Sequence, residues 1–286
     1  MKKNILLAGG CGFIGKNIIE QYKNKHELLI IDKDIDINFC KKNNTNYKSI
    51  DVSNKKTLLE LKNIIIDFKP DIIFNLISIV TASRDLTLFP AMVESNLNVL
   101  LNFYEALKEN NFLDLFIQFG SGEEYGNIKA PFKATDREEP NSPYALIKQL
   151  TTNTALMLYR NYGFPIVVIR PTNLLGKYQS EDKFIPYITK KLKNNEELNV
   201  TRCEQKRNFI DVVEFIKKLE SIIKNKKKNI GKIINIGSGK AITLKKIIEE
   251  KKKTYKSSSI INYGAIPYRK SEIMDFRLEI DHKEFL

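Results

Sequence analysis

The sequence predicts an α/β protein in which a parallel sheet is covered by helices on both faces and is followed by a smaller C-terminal lobe. Apolar runs typical of strands alternate with amphipathic runs typical of helices over residues 1–170. The run Asp71–Val80 is almost continuously apolar, as expected of a central parallel strand that is buried on both faces. Strands that alternate with helices in this way favour a parallel sheet with right-handed crossovers.

A glycine-rich turn, GGCGFIG at residues 9–15, joins the first apolar run to the first amphipathic run. Gly9 lets the chain leave the strand in a tight turn, Gly12 lets the backbone approach a pyrophosphate, and Gly15 lets the helix pack on the strand. The N-terminus of the helix then offers free N–H groups and a partial positive charge to phosphates. This unit predicts a dinucleotide site, and an ordinary glycine-rich turn is the alternative interpretation.

Asp32 ends the next predicted strand, His26–Ile31, about 20 residues beyond the turn. A carboxylate at this place suits the ribose hydroxyls of NAD and would repel the additional phosphate of NADP. We therefore expect NAD as the cofactor, with NADP as the less favoured alternative. The alternative interpretation is that Asp32 is a solvated residue at a strand end and has no functional role.

The remaining elements continue the alternation. The polar segment up to Asn46 is interpreted as a loop. Strands are predicted at Tyr47–Val52, Asp71–Val80, Leu113–Phe119 and Pro165–Ile169, and helices at Thr57–Phe68, Pro90–Asn110 and Tyr144–Tyr162. Two further helices, Phe184–Leu192 and Val212–Ile223, and a strand at Lys232–Ile236 follow. We predict a Rossmann-type, doubly wound dinucleotide-binding domain over residues 1–170. Residues 171–286 form the predicted substrate lobe, with a segment near 205–236 that returns to the main sheet.

Composition argues against several other classes of protein. The formal charge is +13, but the lysines fall mostly on predicted helix faces and loops, with no interleaved aromatic-basic motif. We therefore expect no nucleic-acid partner, and the charge suits an anionic small substrate. No apolar run approaches the ~20 residues that span a membrane, and no signal peptide is evident. Three scattered cysteines and two histidines offer no metal site and fit a cytoplasmic protein.

Tyr144 and Lys148 form a Y-x-x-x-K pattern near the start of a predicted helix, which places both side chains on one helix face. A nearby ammonium, together with the positive charge of an oxidised nicotinamide, would lower the pKa of the tyrosine. Tyr144 could then exchange a proton with a substrate oxygen. Ser121 ends the preceding strand, at the sheet edge where ligands of such folds bind. The three residues predict a hydride-transfer site. The alternative interpretation is that Tyr144 and Lys148 are a pair on the protein surface without a catalytic role.

Together these motifs resemble the extended short-chain dehydrogenases/reductases of the NAD-dependent epimerase/dehydratase family, which act on nucleotide sugars. The matching segments occur in family order over nearly the whole chain and are GGCGFIG, PDIIFNLIS, NLNVLLNFYEA, GSGEEYG, PNSPYALIK, RPTNLLG, KFIPYI, RNFIDVVE and NIGSGKAITL. The histidine usual in the second of these is Asn75 here. Relatives normally continue through another strand and helix after the position of Leu286.

The resemblance implies the roles of several residues. The catalytic set would be Ser121, Tyr144 and Lys148, with Glu123 at the position of the second base of dehydratases. The resemblance also implies a homodimer paired through the helices Pro90–Asn110 and Tyr144–Tyr162, with Asn96, Ala145 and Leu156 on or near the paired faces. Residues implied in cofactor binding are Gly9, Gly12, Phe13, Ile14, Gly15, Asp32, Asp51, Val52, Leu76 and Lys148, and those implied in nucleotide-sugar binding are Asn173, Arg207 and Arg269.

Three reactions at C4 of a nucleoside-diphosphate sugar remain open within the resemblance. The GSGEEYG string and the C-terminal segments are most similar to 4-keto-6-deoxy-sugar reductases, such as abequose synthases and GDP-4-keto-6-deoxymannose reductases. A 4-epimerase that retains NAD is the next alternative, and Asp32 favours it. A 4,6-dehydratase comes third, since Gly122 stands where some dehydratases have an aspartate. A non-catalytic dinucleotide-binding regulator is the remote alternative, against which the intact Ser121, Tyr144 and Lys148 argue.

Overall fold

The computed structural model describes residues 2–81 and 83–280, so the last six residues of the predicted C-terminal lobe lie outside it. The strands are β1 Asn4–Ala8, β2 Glu27–Asp32, β3 Asn46–Ser49, β4 Ile72–Asn75, β5 Leu115–Phe119, β6 Ile166–Pro171, β7 Asn173–Leu175, β8 Leu198–Val200, β9 Lys206–Asp211, β10 Ile233–Ile236, β11 Ala241–Thr243, β12 Ile261–Tyr263 and β13 Asp275–Phe276. The α-helices are α1 Phe13–Tyr22, α2 Ile37–Lys42, α3 Leu58–Phe68, α4 Phe89–Val93, α5 Val99–Leu107, α6 Pro143–Tyr162, α7 Phe184–Lys193, α8 Val212–Lys224, α9 Lys226–Asn229 and α10 Leu244–Thr254.

The main sheet has seven strands in the order β3-β2-β1-β4-β5-β6-β10. All neighbouring pairs are parallel. The chain starts at β1, winds outwards to β3, then returns past β1 to β4 and winds in the other direction, which is the doubly wound arrangement predicted from the sequence. The predicted fold class is therefore confirmed. The point of reversal between β1 and β4 is where the carboxyl ends of the strands open a crevice for ligands.

Two apolar layers cover the two faces of this sheet. On one face, α1 and α8 bury side chains such as Ile18, Ile19, Phe215 and Leu219 against alternate residues of the strands. On the other face, α3, α5 and α6 pack on the remaining residues. Because each side chain along a strand points to the face opposite its neighbour's, strands buried on both faces need continuous apolar sequence, as in LLIID and IVVIRP.

The C-terminal part of the chain contributes two small sheets. The strand β9 pairs with β11, β13 and β7, and β12 pairs with β8. A separate apolar cluster, which includes Ile188, Leu192, Leu198, Leu244 and Ile248, joins α7 and α10 to these strands. The strand β10 lies in the main sheet beside β6, with Ile234 opposite Ile169, whereas β9 belongs to the small sheet.

Several predicted elements have other bounds in the structure. The segment interpreted as a loop after Asp32 contains α2, which Asp36 caps by accepting a hydrogen bond from the Phe39 N–H at 3.0 Å. The predicted strand Asp71–Val80 pairs only as far as Asn75, and the predicted strand Tyr47–Val52 ends at Ser49. The predicted helix Pro90–Asn110 contains a π-helical turn, Glu94–Asn98, between α4 and α5.

Helices α5 and α6 expose an apolar surface that the chain itself does not cover. Leu101 is 40% exposed, and Leu146 and Leu150 are 38% and 41% exposed. Asn96 and Ala145, by contrast, are fully buried within the chain, so they cannot contribute contact area to a helix-pairing face. Asn96 instead hydrogen-bonds Ser78 and the Met92 carbonyl at the π-helical turn. In the part of the chain described, no helix combines the length and apolarity that crossing a membrane requires.

Candidate active site

The glycine turn lies at the carboxyl end of β1, over the N-terminus of α1. Gly9 has φ of +77°, and a Cβ there would stand 2.9 Å from the Ile77 nitrogen, so the position requires glycine for both conformation and space. No side chain caps α1 at Gly12. The first N–H groups of α1 therefore point out of the turn without side-chain partners, as a phosphate site requires.

Asp32 lies beside this turn. Its carboxylate accepts hydrogen bonds from the Cys11 N–H at 3.2 Å and the Asp34 N–H at 3.3 Å. Burial raises the pKa of Asp32, and these N–H groups oppose the rise. Leu76, which follows β4, donates its N–H to the Ala8 carbonyl and so lies against the same turn. Phe13 and Ile14 begin α1 and pack partly buried against the core.

Asp51 and Val52 lie beyond the end of β3. Asp51 is exposed and accepts hydrogen bonds from the N–H and hydroxyl of Ser53. Val52 is buried, and its carbonyl accepts a hydrogen bond from the Asn102 side chain at 2.8 Å. A surface cavity of about 960 Å³ is lined by Asp51 together with residues of α3 and α5.

Ser121, Tyr144 and Lys148 meet where β5 ends and α6 begins. Tyr144 lies close to the Ser121 side chain, and its interaction with Ser121 lowers the pKa of Tyr144. The Lys148 ammonium lies 5.9 Å from the centre of the Tyr144 ring and donates a hydrogen bond to the Phe119 carbonyl at 2.8 Å. The exposed fractions of Ser121, Tyr144 and Lys148 are 8%, 9% and 2%. The structure thus brings these three predicted residues together at the carboxyl edge of the sheet.

The protonation state of Tyr144 differs from the sequence-based expectation. The expectation was a lowered pKa, but burial raises the pKa of Tyr144, and the charges of Glu123 and Glu124 add to the rise. Only the interaction with Ser121 acts in the opposite direction. Burial also lowers the pKa of Lys148 to about 8. The protein's own groups therefore favour the neutral phenol, which is the form that donates a proton.

The three residues implied in nucleotide-sugar binding line one cavity of about 390 Å³ in the C-terminal part of the chain. Asn173 and Arg207 come from β7 and β9, and Arg269 comes from the loop after β12. The guanidinium of Arg207 is held by Glu272 and by the Ile273 carbonyl. Phe184 and Tyr187 of α7 add aromatic surface. An arginine pair beside aromatic rings suits a ligand that carries both phosphate and a planar group.

Glu123 interacts with both Ser121 and the arginines of this cavity. It follows Ser121 by two residues, and its N–H donates a hydrogen bond to the Ser121 hydroxyl at 3.1 Å. Burial raises the pKa of Glu123, while the positive charges of Arg207, Arg84 and Arg269 oppose the rise. Glu123 therefore lies next to Ser121, and the positive charges of Arg207, Arg84 and Arg269 act on its carboxylate.

Sequence reasoning missed a buried ion cluster behind Ser121. Arg170 is fully buried, and its guanidinium contacts the carboxylates of Glu124 at 2.5 Å and Glu138 at 2.5 Å. The available signal was the strand IVVIRP itself, since a charge at the end of a buried strand needs a buried partner. Arg84, whose charge acts on Glu123, was missed as well because it lies in an irregular loop.

Comparison with known proteins identifies the family of the chain. Residues 5–237 match the NAD dependent epimerase/dehydratase family. The chain belongs to this family. It is therefore an enzyme of the epimerase/dehydratase family, and the predicted NAD dependence is confirmed at the level of the family. Among the described residues, no group of three or more His, Cys, Asp or Glu side chains is placed to hold a metal.

Individual family members that resemble the chain have different activities. It is 30% identical over 176 residues to CDP-abequose synthase of Salmonella muenchen, a match that covers 62% of this chain and 56% of that protein. It is 26% identical over 264 residues to dTDP-4-dehydro-6-deoxyglucose reductase of Escherichia coli, covering 87% and 80% of the two chains. UDP-glucuronic acid 4-epimerase of Bacillus cereus, solved with UDP-glucuronic acid and NAD, superposes with a TM-score of 0.88 at 22% identity and coverage of 99% and 91%. At that identity the superposition shows the fold alone.

The glycine turn fits the family cofactor. A Cβ on Gly12 would meet only the Gly9 carbonyl oxygen, at 3.4 Å, so the space in front of the turn is open to a pyrophosphate. The N–H groups of α1 face that space, and Asp32 lies next to it. The residues that would hold NAD at this turn are Gly12 at its pyrophosphate and Asp32 at its adenosine ribose, and the family resemblance implies Lys148 at the nicotinamide ribose.

Proposed function

We propose that this enzyme reduces the 4-keto group of a nucleoside-diphosphate sugar, with a 4-keto-6-deoxy sugar as the preferred substrate. The observation that supports the proposal best is the continuity between two sites. The Glu123 N–H donates a hydrogen bond to the Ser121 hydroxyl, and the positive charges of Arg207 and Arg269 act on the Glu123 carboxylate. A substrate anchored by its diphosphate at the arginines would place its sugar beside Tyr144. The similarity to CDP-abequose synthase and to a 4-dehydro-6-deoxy-sugar reductase favours reduction among the family reactions.

In the proposed mechanism, bound NADH supplies the hydride that reaches C4. Ser121 donates a hydrogen bond to the C4 oxygen and so positions it. Tyr144, neutral because burial raises its pKa, donates its proton to that oxygen as the carbonyl is reduced. Lys148 stabilises the phenolate that remains until a proton returns from solvent. The residues 171–280 would supply the nucleotide-sugar lobe.

Asp32 supports a second candidate, a 4-epimerase. Its carboxylate favours NAD, and an enzyme that oxidises and then reduces the same carbon can retain that cofactor through the cycle. The reductase and the epimerase are distinguished by assaying the purified protein with NADH and nucleoside-diphosphate 4-keto-6-deoxy sugars. Stoichiometric loss of NADH absorbance supports the reductase. Interconversion of 4-epimeric nucleotide sugars without net change in NADH supports the epimerase.

Tyr144→Phe tests the mechanism for either reaction. Loss of a positioned general acid should reduce turnover by roughly 10²–10⁴-fold. The KM should change little, because one hydroxyl is removed from a large contact surface. Tyr159→Phe is the matched control, since Tyr159 lies on the same helix and is 38% exposed. Equal turnover of Tyr144→Phe and the wild type would refute the mechanism.

Glu123→Gln separates these reactions from a 4,6-dehydratase. A dehydratase needs a base that removes the proton at C5, and Glu123 is the carboxylate available next to Ser121. A reductase or epimerase should keep most of its activity in this variant. Near-complete loss of activity, with the nucleotide sugar still bound, would instead assign the chain to the dehydratases.

A further inference from the structure

The buried ion cluster consists of Glu124, Arg170 and Glu138, and it lies directly behind Ser121. One Glu124 carboxylate oxygen accepts a hydrogen bond from Arg170 Nε at 2.9 Å. The guanidinium of Arg170 also contacts the carboxylate of Glu138. The central carbon of the guanidinium lies 4.6 Å from the centre of the Tyr125 ring. Glu124 and Arg170 are both fully buried. A buried charged pair favours a hydrogen-bond partner for each of its polar atoms. Within residues 2–81 and 83–280, Nη1 of Arg170 lacks such a partner, but the second oxygen of Glu124 has one.

That second oxygen holds Ser121. The Ser121 N–H donates a hydrogen bond to Glu124 Oε1 at 2.8 Å, which forms a capping box at the short helical turn Gly122–Tyr125. The space for the carboxylate exists because residue 120 is glycine, and a Cβ there would overlap Glu124 Oε1. The backbone of Ser121 is therefore fixed by the same carboxylate that is fixed by Arg170.

The charge of the cluster matches that of Lys148. Two carboxylates and one guanidinium leave one unit of negative charge, and Lys148 brings one positive charge into the same buried region. Lys148 donates its hydrogen bond to the Phe119 carbonyl, two residues before the Ser121 N–H that donates to Glu124. Tyr144 is the titratable group beside it on its own helix. Burial lowers the pKa of Lys148, and the charge of Glu124 opposes that change.

We propose that Glu124 is a positioning residue of the active site, which fixes the backbone of Ser121 and places a negative charge near the Lys148 ammonium. It acts through these two residues and does not touch the substrate. Glu138 contacts the same arginine from the other side, but its carboxylate accepts its further hydrogen bond from Gln149 and not from Ser121. This inference rests on the roles of Ser121 and Lys148 in the proposed function.

The test compares NADH binding across pH in the wild type, Glu124→Gln and Glu138→Gln, with the fluorescence of bound NADH as the readout. Lys148 would hold the nicotinamide ribose in its charged form, so the wild-type affinity for NADH should fall as pH rises through about 8. In Glu124→Gln the midpoint of that fall should move to lower pH by about one unit, because an opposite charge near the ammonium is removed. In Glu138→Gln, which also removes one carboxylate from Arg170, the midpoint should stay at the wild-type value.

If Glu124 had only a structural role, Glu124→Gln and Glu138→Gln would both lower thermal stability, and the pH midpoint of NADH binding would be the same in the two variants. Glu124→Gln leaves the buried Arg170 guanidinium without its charged partner, which could prevent folding. If the single variant does not fold, the test uses Glu124→Gln/Arg170→Met, which removes both members of the pair. Its midpoint should lie below the wild-type value by less than in the single variant, because the lost positive charge of Arg170 partly offsets the lost negative charge of Glu124. An unshifted midpoint in the folded Glu124 variant, an equal shift in Glu138→Gln, or a wild-type affinity independent of pH overturns the inference. Failure of the wild type to bind NADH at all overturns the proposed function instead.

Discussion

Replacing Gly12 by alanine should separate cofactor binding from folding. Gly12 has φ of −76° and ψ of 178°, an extended conformation that alanine adopts without strain. The new Cβ would meet the Gly9 carbonyl oxygen at 3.4 Å, which is an ordinary van der Waals contact. The folded state can therefore accept the methyl group. The free energy of unfolding should change by less than about 1 kcal/mol, because the reduced flexibility of the unfolded chain and the poorer N-cap preference of alanine oppose each other.

The same methyl group would stand in front of the uncapped N-terminus of α1, where the pyrophosphate of NAD is expected. A phosphate pushed away by about 1 Å would lose hydrogen bonds, since an N–H···O bond weakens beyond about 3.2 Å. One hydrogen bond to a charged group is worth about 1.5–3 kcal/mol. The dissociation constant for NADH should therefore rise by roughly 10- to 100-fold, because each 1.4 kcal/mol is a factor of about ten.

Gly15→Ala is the contrasting variant. A Cβ on Gly15 would lie 2.6 Å from Gly10 Cα and 2.7 Å from the Gly10 carbonyl carbon, so α1 must move away from the turn. Overpacking of this kind costs about 1–3 kcal/mol, and the displaced turn should also bind NADH less well. Thermal unfolding and NADH fluorescence titration measure the two quantities. Wild-type NADH affinity in Gly12→Ala would refute the assignment of the turn as the pyrophosphate site.

Three further predictions concern specificity, assembly and pH. Asp32→Ala should reduce the ratio of the NADPH and NADH dissociation constants by roughly tenfold, because the variant lacks the negative charge that would repel the 2′-phosphate of NADPH. An unchanged ratio would contradict the role of Asp32. The chain should form a homodimer through α5 and α6. Light scattering should show a dimer for the wild type and a monomer for Leu146→Asp. A wild-type monomer at micromolar concentration would exclude this interface. Lys148→Met should be more stable than the wild type below about pH 8. In this range Lys148 is protonated in both the folded and the unfolded wild type, so folding of the wild type must bury its positive charge. The difference should shrink between about pH 8 and the unfolded value near 10.4, where only the folded state has released the proton; a difference in unfolding free energy that is constant across this range would contradict the lowered pKa.

The main sheet could be predicted because its signal is local and repeated. Strands such as LLIID and LFIQF are apolar on both faces, and the glycine turn fixes where the first of them ends. The limits of β4 could not be predicted. The apolar run continues to Val80, but pairing with β1 and β5 ends at Asn75, and hydrogen-bond partners are a non-local property.

The catalytic residues could be found by motif, but their surroundings could not. Tyr144 and Lys148 are four residues apart on one helix, so their proximity follows from helical geometry. Glu124, Arg170 and Glu138 come from three separate segments, and only the folded sheet brings them together. The raised pKa of Tyr144 depends on that packing, since burial outweighs the interaction with Ser121. The π-helical turn at Asn96 likewise depends on a tertiary partner, Ser78.

The position of β10 affects how the protein can be divided. A fragment that ends at residue 170 would lack β10 and leave one edge of β6 unpaired, so the backbone of Val168–Arg170 could pair with other chains. It would also lack α8, whose Phe215 and Leu219 cover one face of the core. The polypeptide passes between the main sheet and the small sheets after β6, after β9 and again after β10. A single proteolytic cut in one of these passages would therefore leave the two halves attached through the others, and limited proteolysis should yield nicked protein that stays together until it is denatured.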